Sequence, residues 1–197
     1  MQNIITRKGT VVQDPPFVQK LFNDRRFSVI WLVLRVWLGY SWISSSLSKI
    51  DNPAWVETGA ALKGFWSNIV VIPETGRPAI AFDWYRGFIQ MLLDAEAYTW
   101  FAKLVAYGEL LIGIALILGL FTGIAAFFGG FMNWNFMMAG SASSNPMLFV
   151  VALVLIMAWK TAGYIGVDYF LLPALGTPWG GEKETAEPEA APVLGTD

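Results

Sequence analysis

The chain has 197 residues, 55% of them hydrophobic and 15% aromatic, with a mean hydropathy of +0.51; that is more apolar surface than a soluble domain of this length needs for its core, and it selects a membrane protein. A formal net charge of -2 leaves no basic field for nucleic acid. The chain contains no Cys and no His, which excludes an iron-sulfur cluster, a thiol relay, the usual axial ligation of a haem and a His general base on this chain alone.

Residues 1–26 are polar and carry Arg7, Lys8, Lys20, Arg25 and Arg26, and they read as an N-terminal arm on the cytoplasmic side. The first apolar segment, about residues 27–48, is too long for a signal peptide and lacks a cleavage site. It is expected to be span one.

The connection over residues 49–100 is an outer loop with two amphipathic stretches. Trp55, Leu62, Phe65, Trp66 and Ile69 recur at helical spacing in the first; Phe82, Tyr85, Ile89 and Leu92 do so in the second. Both are predicted to be interfacial helices, with Pro73, Gly76 and Pro78 breaking the chain between them. They form either a cap over the bundle or a lid over a ligand pocket.

Three further spans follow, at about 101–121, 123–138 and 147–166. Span three is short, but the turn at 120–123 and the GSASSNP loop at 140–146 each force an antiparallel return. In that loop Ser144 or Asn145 is placed to cap the helix that Pro146 begins. The fold class is therefore an all-α integral membrane protein, a four-transmembrane-helix bundle over 27–172 with two interfacial helices between spans one and two. The positive-inside rule puts both termini in the cytoplasm, and residues 173–197 are expected to be a disordered acidic tail.

Two charges fall inside the spans. Arg35 lies roughly 12 Å from the cytoplasmic boundary and Glu109 roughly 18 Å, taking 1.5 Å per residue and a hydrocarbon layer of about 30 Å. At about 3 kcal/mol for each isolated charge, the two are expected to turn inward and pair, with Asn133 between them and Asn135 facing another neighbour. Such a cluster is either a polar staple fixing helix register or a place where a ligand headgroup binds or a proton is relayed. Trp37, Tyr107 and Trp134 fall at similar depth and would wall a headgroup slot or pack the core.

The remaining features have simpler explanations. Gly119 and Gly123, and likewise Ala126 and Gly130, are four apart, the spacing that allows close helix packing in lipid. Trp42, Trp55, Trp66, Trp84, Trp100 and Trp179 are expected near the interfaces, where amphipathic rings anchor a protein. The partners read from composition are lipids and no nucleic acid.

The segment LRVWLGYSWISSSLSKI (34–50) followed by GELLIGIALILGLFTGIAA (108–126) resembles the DoxX family of four-span membrane proteins. With its long outer loop the chain is most similar to the DoxD-type small subunits of thiosulfate:quinone oxidoreductase. The resemblance covers about residues 27–172 and matches at Arg35, Gly39, Lys49, Gly108, Glu109, Gly113, Gly119, Thr122 and Gly123; some members carry Arg where this chain has Gly123. It implies a multi-pass protein of a bacterial or archaeal cell membrane, and a subunit of a quinone-linked redox complex that anchors a partner. Such a subunit would at most contribute to an oxidoreductase without bearing its cofactor, with quinone as the ligand and no metal, haem or iron-sulfur cluster. The alternatives are a structural or assembly subunit, within a larger complex or a homo-oligomer, and a small transporter or lipid-binding protein.

Overall fold

A computed structural model describes residues 4–5, 11–12 and 14–176. Apart from a two-residue antiparallel ladder pairing Ile4 with Val12 and Ile5 with Val11 (β1, β2), the described residues are helices and connections. The N-terminal arm holds a helix, α1 (Pro16–Asn23), and a 3-10 turn at Arg25–Phe27, before α2 (Ser28–Ile50). The arm is docked on the bundle. Trp31 Nε1 donates to Leu21 O at 3.1 Å, Thr161 Oγ1 donates to Phe22 O at 3.0 Å, and the rings of Phe22 and Trp31 stack at 5.4 Å.

The outer loop contains three helices: α3 (Pro53–Val56), α4 (Ala60–Ile69) and α5 (Asp83–Asp94). Asn52 begins α3 by accepting from Ala54 N at 3.0 Å. Gly59 separates α3 from α4 at φ 71, where a Cβ would overlap the Tyr98 carbonyl. The apolar stripes predicted from spacing meet each other: Leu62, Trp66, Ile69, Tyr85 and Ile89 bury a core together with Ile80, Tyr98, Ala102 and Ala139. The loop is thus a packed cap on the end of the bundle where α2 finishes. That end is called the far end below, and the end where α2 begins the near end.

Four elements make the bundle: α2, α6 (Tyr98–Leu118), α7 (Thr122–Met138) and the pair α8 (Asn145–Met157) and α9 (Trp159–Ala162). The sequence places a single fourth span at 147–166; the helix instead breaks at Ala158, and its last turn, α9, stops at Gly163. A short helix, α10 (Asp168–Ala174), closes the near end, so residues 173–174 belong to a helix; the rest of the expected tail and Trp179 lie outside the described residues, except for 175–176. Pro146 occupies the first turn of α8 as expected, with Ser144 before it, but the Ser144 side chain makes no cap bond; Asn145 Nδ2 donates instead to Ser141 O at 2.7 Å.

Two helices are long and apolar enough to cross a membrane, Arg25–Ile50 with its 3-10 lead and Tyr98–Leu118. The bundle's outer surface is largely apolar, with Val33 and Tyr40 on α2, Leu104 and Leu111 on α6, Phe127 and Phe131 on α7 and Val150 on α8 all exposed. Such a continuous belt is unusual for a protein in water. The tightest helix crossing is at Gly39 and Gly113, where a Cβ added to either would lie 2.8 Å from the other's carbonyl oxygen.

Candidate functional site

Side chains on a helix lean toward its N-terminus. On the antiparallel pair α2 and α6 this makes Arg35 lean toward the near end and Glu109 toward the far end, so the two diverge. The expected pairing does not occur. Glu109 is fully buried and accepts from Lys49 Nζ at 2.7 Å and 3.0 Å. Lys49, next to last in α2, runs back one turn to meet it and also donates to Ser45 Oγ at 2.7 Å, with the Trp55 ring 5.6 Å from its ammonium. Ser46 Oγ donates across the same helix pair to Ala106 O at 2.8 Å.

Arg35 serves the near end. Its Nη1 donates to Ala162 O at 3.0 Å and its Nη2 to Ile165 O at 2.7 Å, satisfying carbonyls freed where α9 stops. Gly119, which closes α6 at φ 69, leaves space that the guanidinium fills; a Cβ there would overlap Nη1. Nearby, Asp168 accepts from Phe121 N at 2.6 Å and Thr122 N at 2.8 Å, holding the start of α7. Gly119 is therefore a helix terminus and a seat for Arg35, not a packing glycine within a span. Gly123 does approach another helix closely, with a Cβ there 3.0 Å from Trp159 Cβ, and Gly130 meets Ala152 Cβ at 3.4 Å beside the fully buried Ala126.

Asn133 joins neither charge. It is fully buried, and neither Nδ2 nor Oδ1 has a hydrogen-bond partner among the described residues; the same holds for Trp42 Nε1. One turn before Asn133 on α7, a Cβ on Gly129 would lie 3.0 Å from Trp42 Nε1 and 3.3 Å from Ile112 Cγ2. That register puts Asn133 at the level of Glu109 on the antiparallel α6. A polar layer results, in which Lys49 and Glu109 satisfy one another while Asn133 and Trp42 keep donor and acceptor capacity unused.

The aromatic residues expected to wall this layer mostly do not. Trp37 and Tyr107 are 43% and 47% exposed on the outside of the bundle. Trp134 packs against Phe131 at 6.1 Å and Tyr85 at 6.5 Å. Asn135 faces elsewhere, as expected: its Nδ2 donates to Phe131 O at 2.9 Å, its Oδ1 accepts from Tyr85 Oη at 3.3 Å, and its main-chain carbonyl accepts from the same Oη at 3.0 Å. Burial pushes the Tyr85 phenol up to about 12. Of the Trp residues expected at interfaces, Trp84 and Trp100 are well exposed, whereas Trp42 and Trp66 are core residues. Lys49 stood among the family-like positions without a role; the opposite lean of side chains on antiparallel helices is the signal that would have paired it with Glu109.

A family model described as DoxX matches residues 30–142, more than half of the chain and all of α2 through α7 except the first two residues of α2. The chain belongs to the DoxX family. Comparison with characterised proteins and with solved structures gives no match. Membership, with the two long apolar helices and the apolar outer belt, makes this DoxX protein a membrane protein. Both polar centres, Lys49–Glu109 and the Arg35 seat at Gly119, lie within the matched segment.

Proposed function

We propose that this DoxX protein is a four-span subunit of a quinone-linked redox complex, of the DoxD type, in which the layer of Lys49, Glu109, Asn133 and Trp42 meets a quinone headgroup. The reading takes α7 and the α8–α9 pair as the second pair of spans and puts both termini in the cytoplasm, in keeping with Arg25, Arg26 and Lys160 at the near end. The observation that carries it is the unused hydrogen-bonding capacity of Asn133 and Trp42 beside a buried ion pair. A quinone presents carbonyl oxygens, and those two N–H groups are donors without acceptors, so the residues fit the headgroup. When bound, a quinone supplies coupled electron and proton acceptance. Asn133 and Trp42 would hold and orient it, Glu109 would hold or pass a proton at its carboxylate, and Lys49 would set which form Glu109 prefers. Electrons would come from a partner, because this chain has no Cys or His to carry a redox centre.

The test is extraction of the full chain from its native membranes in mild detergent, followed by measurement of bound quinone in the wild type and in Asn133→Leu. Leu has similar volume and needs no hydrogen bond, so the variant should fold at least as well. Bound quinone that disappears in Asn133→Leu supports the reading. Its absence from the wild type, or equal amounts in both, overturns it.

A further inference from the structure

A second polar site lies at the near end, apart from the layer above. There a cleft of about 300 Å³ opens between the end of α1, the 3-10 turn, α9 and α10, lined among others by Asn23, Arg25, Lys160, Tyr164, Leu172 and Pro173. Its charge is unbalanced. Among the described residues the Arg25 guanidinium has only the Tyr164 ring for company, at 5.3 Å, and Lys160 has no hydrogen-bond or ion-pair partner. The one carboxylate among the described lining residues, Asp168, is 3% exposed and uses its oxygens on Phe121 N and Thr122 N, with the Arg35 charge interacting with it from behind. Two cations, Arg25 and Lys160, therefore line the cleft beside one occupied carboxylate.

The cleft also carries aromatic groups suited to a bilayer interface. Tyr169, which lines it, is 50% exposed, and Phe170, in ring contact with Tyr169 at 4.9 Å, is 75% exposed. Aromatic rings beside unneutralised basic side chains are the arrangement that receives an anionic headgroup while its acyl chains run along the protein. Leu172 and Pro173 supply an apolar wall for the chain end of such a molecule.

We infer that this cleft binds a phosphate-bearing anionic headgroup, held by Arg25 and Lys160, and that a phospholipid is its source. The reading needs only that the protein sits in a membrane; it is independent of quinone.

The full chain is reconstituted in nanodiscs of zwitterionic phosphatidylcholine, with phosphatidylglycerol added in increasing proportion, and thermal unfolding is followed. Wild-type protein should gain stability as phosphatidylglycerol rises, and the apparent affinity should fall roughly 30-fold in the double variant Arg25→Gln/Lys160→Gln, about 1 kcal/mol being expected per basic group near the lipid phosphates. Lys63→Gln, in the cap at the far end, should leave the response unchanged. Should the double variant fail to fold, the charge-conserving Arg25→Lys/Lys160→Arg must keep the response and each single Gln variant must reduce it. In a separate arm in detergent, inorganic phosphate that stabilises wild type as well as short-chain phosphatidylglycerol does would keep the anion site and make free phosphate its ligand. An equal phosphatidylglycerol response in the wild type and the Gln variants overturns the site.

Discussion

Lys49 Nζ lies 2.7 Å from Glu109 Oε2, and only the lysine keeps any exposure, its side chain 17% accessible against 0% for the carboxylate. The pair therefore breaks asymmetrically. With Glu109→Gln the ammonium stays near the end of α2, beside Trp55, and can reach toward water. With Lys49→Met the carboxylate remains deep between helices without a counter-charge.

Lys49→Met should accordingly lose about 3–5 kcal/mol of unfolding free energy in mixed micelles, and Glu109→Gln clearly less. The double variant Lys49→Met/Glu109→Leu should return to within about 1–2 kcal/mol of wild type, since removing both charges also removes their desolvation cost. Equal losses in the two single variants would contradict the asymmetry.

Gly119 and Arg35 form one unit. Gly119→Ala places a methyl in the left-handed conformation, costing about 1–2 kcal/mol by itself, and evicts the guanidinium from its seat. In an Arg35→Met background only the first cost should remain. A double-mutant cycle measured by chemical unfolding should therefore show coupling of about 1–3 kcal/mol; additive losses would mean that the two residues act independently.

Glycines in the same helix should respond in opposite ways. Gly113→Ala meets the Gly39 carbonyl at 2.8 Å and should destabilise by about 1–3 kcal/mol. At Gly108 nothing lies within 4 Å of an added Cβ, so Gly108→Ala should be neutral or gain up to about 1 kcal/mol through helix propensity. Thermal unfolding of the two variants checks the contrast.

Tyr85 predicts a pH dependence. Its phenol ionises at about 12 in the folded protein against 10.0 ordinarily, so the folded state binds this proton more tightly than the unfolded one. The stability it contributes is fully present below pH 10.0 and is lost as pH rises through about 12. Tyr85→Phe should cost about 0.5–1.5 kcal/mol below that window through the lost bond to Asn135, and the difference from wild type should shrink across it. A constant difference from neutral to strongly alkaline pH would show that Tyr85 is not the group responsible.

Much of the architecture was legible because it follows from short-range pattern. The two long apolar runs, the helical stripes of the outer loop, Pro146 at the start of α8 and the turns at 120–123 and 140–146 are all consequences of residue type at fixed spacing. The stripes even indicated which residues of α4 and α5 would be buried. The break at Ala158 was not legible, because no Pro or Gly marks it; nor was the seating of the carbonyls freed further on, where α9 stops, which find Arg35, a residue more than a hundred positions earlier.

Residue chemistry alone determined that the chain is a membrane protein, that it has no Cys or His with which to hold a redox centre, and that Arg35 and Glu109 must each find a polar companion. Which companion each finds was decided only by the tertiary structure. Depth along a span gives one coordinate, whereas contact also depends on helix rotation and on the direction in which a side chain leans. That direction reverses between antiparallel neighbours, and it sends Arg35 to the carbonyls at and beyond the end of α9 and Glu109 to Lys49.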